Sequence, residues 1–94
     1  MNTQSMNGRK VGYGKIELPG DFCFGPDEQS PNYIYIWLPG TPGPDALCIK
    51  KGPNPPTPRI WGWDGNLETP TLNPSIHAPG QWHGYLRSGR LVSC

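Results

Sequence analysis

The chain has 94 residues, 13 of them glycine and 13 proline, and a formal net charge of +1. At this length it makes one domain at most, and because no stretch free of both Gly and Pro exceeds seven residues, a helical bundle is excluded. The near-neutral balance argues against general nucleic-acid binding and membrane-surface binding, which normally draw on a basic excess.

Disorder is the competing reading at this Gly and Pro content. Four Trp, four Tyr and two Phe stand against it, because disordered chains are poor in aromatics and usually carry a large net charge. The expectation is a single all-β domain over residues 1–94, a small twisted sheet forming a barrel or sandwich with long Pro/Gly-rich loops and little or no helix. No apolar run approaches the roughly 20 residues that span a bilayer, and Met1–Lys10 lacks the apolar stretch of a signal peptide. Three cysteines at uneven spacing do not read as a disulfide framework, which points to a cytoplasmic protein with reduced thiols.

Met1–Gly8 reads as a loose polar terminus, and Val11–Leu18 as a first strand weakened by Gly12 and Gly14 or, alternatively, a flexible tail. Asp21–Gly25 is a short apolar piece followed by the polar loop Pro26–Asn32. Tyr33–Leu38 (YIYIWL) is the strongest strand signal, continuous in apolarity and bounded by Pro31 and Pro39, which predicts burial on both faces. After the loop Pro39–Asp45, Ala46–Lys51 predicts a short strand and Gly52–Pro58 a stiff polyproline-type connector.

Arg59–Trp63 is the next predicted strand, closed by the turn signal Asp64-Gly65-Asn66. Prolines 70 and 74 confine Thr69–Ser75 to an extended edge segment or a structured loop. Gln81–Arg87 and Arg90–Cys94 flank Ser88-Gly89, a two-residue hairpin loop. That loop sets Arg87 opposite Arg90, Leu86 opposite Leu91, Tyr85 opposite Val92, Gly84 opposite Ser93 and His83 opposite Cys94. The expected core draws on Ile34, Ile36, Trp37, Leu47, Ile49, Ile60, Leu72, Ile76, Trp82, Leu86 and Leu91. Dimerisation would help so thin a domain, with Tyr33–Leu38 the expected interface strand if it is not central.

Three constellations could carry chemistry. Opposed His83 and Cys94 would have Cβ atoms about 4.5–5.5 Å apart, close enough for two zinc ligands or a thiolate–imidazole pair. A tetrad of Cys23, His77, His83 and Cys94 is one way to complete a zinc site, although its spacing matches no standard pattern, and a free terminal thiol beside a surface histidine is the plainer reading. Trp61 and Trp63, two apart on a strand, share a face and could form a stacking platform with Tyr85, while Arg59, Arg87 and Arg90 could meet phosphate; core packing is the alternative for both tryptophans. Asp64 and Glu68 could bind a divalent cation or serve as acid and base, and turn chemistry explains Asp64 equally well. G-x-S-x-G, Walker, G-x-G-x-x-G and H-E-x-x-H motifs are absent from the sequence, which disfavours the common enzyme classes.

Trp61–Asn66 (WGWDGN), Glu68–Ile76 (ETPTLNPSI), Trp82–Gly89 (WHGYLRSG) and Ser93-Cys94 follow one another in a recurring order. This last third of the chain resembles a family of small phage and prophage proteins of unknown function. The resemblance implies a C-P-x-C knuckle upstream that would complete a zinc site with His83 and Cys94. Here the matching stretch, Trp37-Leu38-Pro39-Gly40, has no cysteine, so either the metal is lost or Cys23 and Cys48 stand in. The expectation is therefore no obligatory cofactor, with zinc left open. The phage association implies an accessory protein in the host cytoplasm that antagonises a host defence, by masking a host defence protein or by sequestering a small nucleotide. The alternative is a metal-dependent hydrolase of a nucleotide or nucleic acid built on His83, Cys94, Asp64 and Glu68.

Overall fold

A computed structural model describes residues 5–52 and 57–94. The described residues are all-β, with ten strands in two sheets and no helix. The strands are β1 (Ser5–Asn7), β2 (Arg9–Lys10), β3 (Asp21–Gly25), β4 (Tyr33–Ile36), β5 (Asp45–Lys51), β6 (Trp61–Trp63), β7 (Leu72–Asn73), β8 (Ile76–Ala78), β9 (Trp82–Arg87) and β10 (Arg90–Ser93). One sheet has four strands in the order β1-β10-β9-β8; the other has six, in the order β2-β3-β4-β5-β6-β7.

The hairpin β9–β10 has the expected register, Arg87 with Arg90 through Gly84 with Ser93. Cys94 follows in step, its N–H donating to the His83 carbonyl at 2.9 Å. Ser88 (φ 48°) and Gly89 (φ 76°) both adopt the left-handed conformation of a type I′ turn, whose twist matches that of the flanking strands. The turn docks on the opposite sheet's approach to β7. Gly89 N–H donates to Pro70 O (2.9 Å) and Ser88 N–H to Thr71 Oγ1 (2.8 Å).

The N-terminus departs from expectation. Ser5–Asn7 is a strand, because β10 would otherwise be an open edge, and the chain crosses from one sheet to the other at Gly8. Val11–Leu18 is not a strand. Its glycines allow a turn instead, closed by Lys15 N–H to Gly12 O at 3.0 Å. The stiff connector predicted at Gly52–Pro58 falls mostly on residues 53–56, outside the described residues.

The core lies between the sheets: Phe22, Phe24, Ile34, Ile36, Leu38, Leu47, Ile49, Trp63, Leu72, Ile76, Leu86 and Leu91. Phe22, Phe24 and Leu38 add to the expected core, and Trp63 takes the core-packing alternative instead of a ligand role. Trp37, Ile60 and Trp82, from the expected core, lie half-buried. Tyr33–Leu38 also needs correcting. Its strand ends at Ile36, Ile34 and Ile36 point inward, and Tyr33 and Tyr35 lie on the open face, stacked on each other with centroids 6.1 Å apart. With β3 on one side and β5 on the other the strand is central, which removes it as an edge-to-edge dimer interface.

Asp21 opens β3 fully buried and is the charged residue the core has to accommodate. Arg9, its register partner on β2, grips it with two bonds of 2.8 Å, Nε to Oδ1 and Nη2 to Oδ2. The backbone N–H groups of Glu17 and Leu18 also donate to Oδ2, each at 3.0 Å. This set holds the carboxyl down to about 2, the Arg9 bonds outweighing the penalty of burial.

Candidate active site

The turn Pro79–Gln81 joins β8 to β9, with Gln81 N–H donating to Ala78 O at 2.9 Å. Ile76 then faces Gly84, His77 faces His83 and Ala78 faces Trp82. Extending the register by one step puts Ser75 opposite Tyr85, so Ser75, His77, His83 and Tyr85 share a face, with Ser75 and His83 on the diagonal of one cross-strand box. Serine Oγ and histidine Nε2 meet there at 3.0 Å. When the imidazole proton is on Nδ1, the hydroxyl donates to Nε2, as required of a nucleophile paired with its general base.

Two features position this pair. Trp61 Nε1–H donates to the Ser75 carbonyl at 3.3 Å, tying the serine to β6. Trp82 Nε1–H donates to Ser93 Oγ at 3.1 Å, and Gly84, where a Cβ would overlap both Val92 O and the Trp82 ring, lets that indole lie across β9. His83 sits between these two residues. The His77 ring packs beside that of His83, with centroids 4.8 Å apart and planes at 41°.

The strands β9 and β8 each border a cleft, and neither Ser75 nor His83 itself lines one. One, of about 550 Å³, includes Trp63, Asp64, Asn73, Tyr85 and Arg87 in its walls; the other, of about 460 Å³, includes Asp45, Leu47, Trp61, Ile76, His77 and Gln81. Tyr85, opposite Ser75 in the extended register, lines the first, and Ile76 and His77, which follow Ser75 in the chain, line the second.

The expected ligand residues are only partly brought together. Trp63, Tyr85 and Arg87 line the same cleft, with the Arg87 guanidinium 4.0 Å above the Tyr85 ring. Trp63 itself is core, tilted against Phe24 at 5.4 Å and donating Nε1–H to Asn66 O, so it offers no open face for stacking. Trp61 belongs to the other cleft. Arg90 donates to Ser5 Oγ (2.6 Å), while Arg59 is exposed and lines neither cleft.

His83 and Cys94 are adjacent as expected, but His83 Nε2 is bonded to Ser75, and the predicted metal set does not assemble. Cys23 is buried in β3 of the other sheet, where desolvation raises its thiol above the usual range and disfavours a ligating thiolate. Cys48 lies on β5, also in that sheet. Among the described residues no three His, Cys, Asp or Glu side chains are placed to share a metal ion. Asp64 and Glu68 do not form an acid–base pair either. Asp64 Oδ1 accepts from the N–H groups of Asn66 and Thr71, and Glu68 pairs with Lys10 at 2.7 Å.

Prolines 70 and 74 mark Thr69–Ser75 as an edge segment or loop and by themselves give Ser75 no partner. The available signal was Pro79-Gly80 between Ile76–Ala78 and Trp82, a hairpin that carries Ser75 to the diagonal of His83.

Comparisons with known proteins bear on this geometry. No curated protein and no solved structure matches the chain. A family-level match covers residues 16–94, and that family is described as a bacterial ubiquitination-like system serine protease (BubE). This finding overturns the expectation of a phage accessory binder that antagonises a host defence, and the metal-dependent hydrolase does not fit it either. With most of its length matched, the chain belongs to the BubE family.

Proposed function

We propose that this protein hydrolyses an amide bond in a protein handled by a bacterial ubiquitination-like system, with Ser75 as nucleophile and His83 as general base. The carrying observation is the 3.0 Å contact between Ser75 Oγ and His83 Nε2 on an exposed sheet face. The family's serine-protease description supports the same chemistry.

In the first half-reaction Ser75 Oγ adds to the substrate carbonyl carbon as its proton passes to His83 Nε2. The tetrahedral adduct collapses when that proton moves to the amine nitrogen, the C–N bond breaks, and the amine leaves an acyl ester on Ser75. Water then attacks the ester with His83 again taking a proton. The C–Oγ bond breaks, the proton returns to Ser75, and a carboxylic acid is released. Trp61 holds the Ser75 backbone through its indole N–H, and the β8–β9 register holds His83.

A fluorophosphonate reagent, which phosphonylates activated serines, tests this directly. Mass spectrometry is expected to find one adduct, on Ser75, that disappears in Ser75→Ala and in His83→Gln. Absence of labelling, or equal labelling in the variants, would overturn the assignment.

A further inference from the structure

The way the substrate reaches Ser75 follows from the backbone of β8. In β9 the His83 carbonyl accepts from Cys94 N–H at 2.9 Å, so the peptide groups of His83 point toward β10. Successive residues of a strand turn their peptide groups to opposite sides, so those of Trp82 and Gly84 point toward β8. Their register partners, Ala78 and Ile76, complete that ladder. His77, between them, must turn its N–H and C=O the other way.

That other way is open, because β8 is the edge strand of the four-stranded sheet. It borders the cleft of about 460 Å³, whose walls include Leu38, Leu47, Trp61 and Ile76, with Asp45 and Ala46 at the start of β5 beyond. An unpaired strand edge beside a cleft is the arrangement that binds an extended peptide by strand addition, main-chain bonds giving affinity and side-chain pockets giving selectivity. Ser75, directly before Ile76, places its hydroxyl at one end of this edge. The size of the cleft is within the usual range for bound ligands, about 300–1,000 Å³.

We infer that the substrate is taken as an unfolded, extended segment that adds to β8 as a fifth strand, pairing one of its residues with the His77 backbone and delivering its next amide carbonyls to Ser75. The inference rests on the Ser75–His83 hydrolase reading. It makes the substrate class a flexible tail or linker instead of a bond within a folded surface. An edge occupied by a second copy of this chain would give a dimer with blocked peptide entry.

The test uses the full chain, an internally quenched decapeptide library, and p-nitrophenyl acetate as a small ester that needs no strand. Ester hydrolysis lost in Ser75→Ala establishes the dyad independently of peptide binding. For the best-cleaved peptide, N-methylation is moved one residue at a time on both sides of the scissile bond. On the side that occupies β8, methylating the residue opposite His77 is expected to lower kcat/KM at least about tenfold, the loss of one well-placed main-chain bond. Its immediate neighbours, whose N–H groups point away from β8, should stay within about twofold. Equal losses at successive residues, no loss anywhere, or Ser75-dependent ester hydrolysis without turnover of any peptide would overturn strand addition and leave the dyad standing. Ester and peptide hydrolysis both unchanged in Ser75→Ala would overturn the dyad itself.

Discussion

Trp61 donates its indole N–H to the carbonyl of Ser75 at 3.3 Å, so a residue of the six-stranded sheet fixes the backbone that leads into the four-stranded one. The ring packs against the core, and the polar edge reaches the active-site segment. Trp61→Phe keeps most of the packing and removes that bond. We expect stability within about 1.5 kcal/mol of the parent and kcat reduced by about tenfold with KM little changed, because misplacement of a reacting group is expressed in the chemical step. Equal kcat in the variant would show that Ser75 is positioned without the indole.

The two candidate nucleophiles beside His83 can be separated by substitution. Ser75→Ala should lower turnover at least a thousandfold, of the order seen when a catalytic serine is removed. Cys94→Ser should leave turnover and its insensitivity to iodoacetamide unchanged, since the exposed Cys94 thiol lies outside the Ser75–His83 hydrogen bond. Inactivation of the parent by iodoacetamide through Cys94 would reverse this assignment.

Gly84 is required by its neighbours. A Cβ there would overlap Val92 O across the hairpin and the Trp82 ring on its own strand. Gly84→Ala should therefore destabilise the protein by about 1–3 kcal/mol, the usual range for overpacking, and loosen the Trp82–Ser93 bond. Urea denaturation followed by tryptophan fluorescence measures the first effect. An unchanged midpoint would mean that the indole and the β10 backbone at Val92 both give way freely.

Asp21 and Arg9 set the acid limit of the fold. The Asp21 carboxyl is held at about 2 in the folded chain, below its ordinary value of 3.8, so the stabilisation is fully present above about pH 4 and is lost as pH falls through about 2. Arg9→Met removes the two guanidinium bonds while leaving those from Glu17 and Leu18. The acid-unfolding midpoint, followed by circular dichroism, should move to higher pH in the variant. Coincident acid transitions would show that the pair contributes nothing to folding.

The family-level match, which names a protease, corrects the functional expectation drawn from the phage association. Trp61–Asn66, Glu68–Ile76 and Trp82–Gly89 stand out as a connected set, but the residue types in and around it that advertise chemistry are soft metal ligands, aromatics, arginines and two carboxylates. The conspicuous tryptophans serve structure: Trp63 fills the core, Trp61 anchors Ser75, and Trp82 clamps Ser93 across Gly84. Serine is common and carries no local mark here, so its partner had to be found before its role could be.

The sequence by itself determined the all-β class, because its Gly and Pro spacing forbids long helices, and it determined the β9–β10 register, because Ser88-Gly89 leaves two residues for a type I′ turn. It also placed His83 beside Cys94 correctly. The cover of the β10 edge by Ser5–Asn7, the burial of Asp21 against Arg9, and the meeting of Ser75 rather than Cys94 with Nε2 of His83 emerge from the packed fold. The physical reason is range. Turn chemistry and side-chain alternation act over a few residues, whereas which edge is covered, which charge is buried and which hydroxyl reaches an imidazole depend on the packing of two sheets around one core.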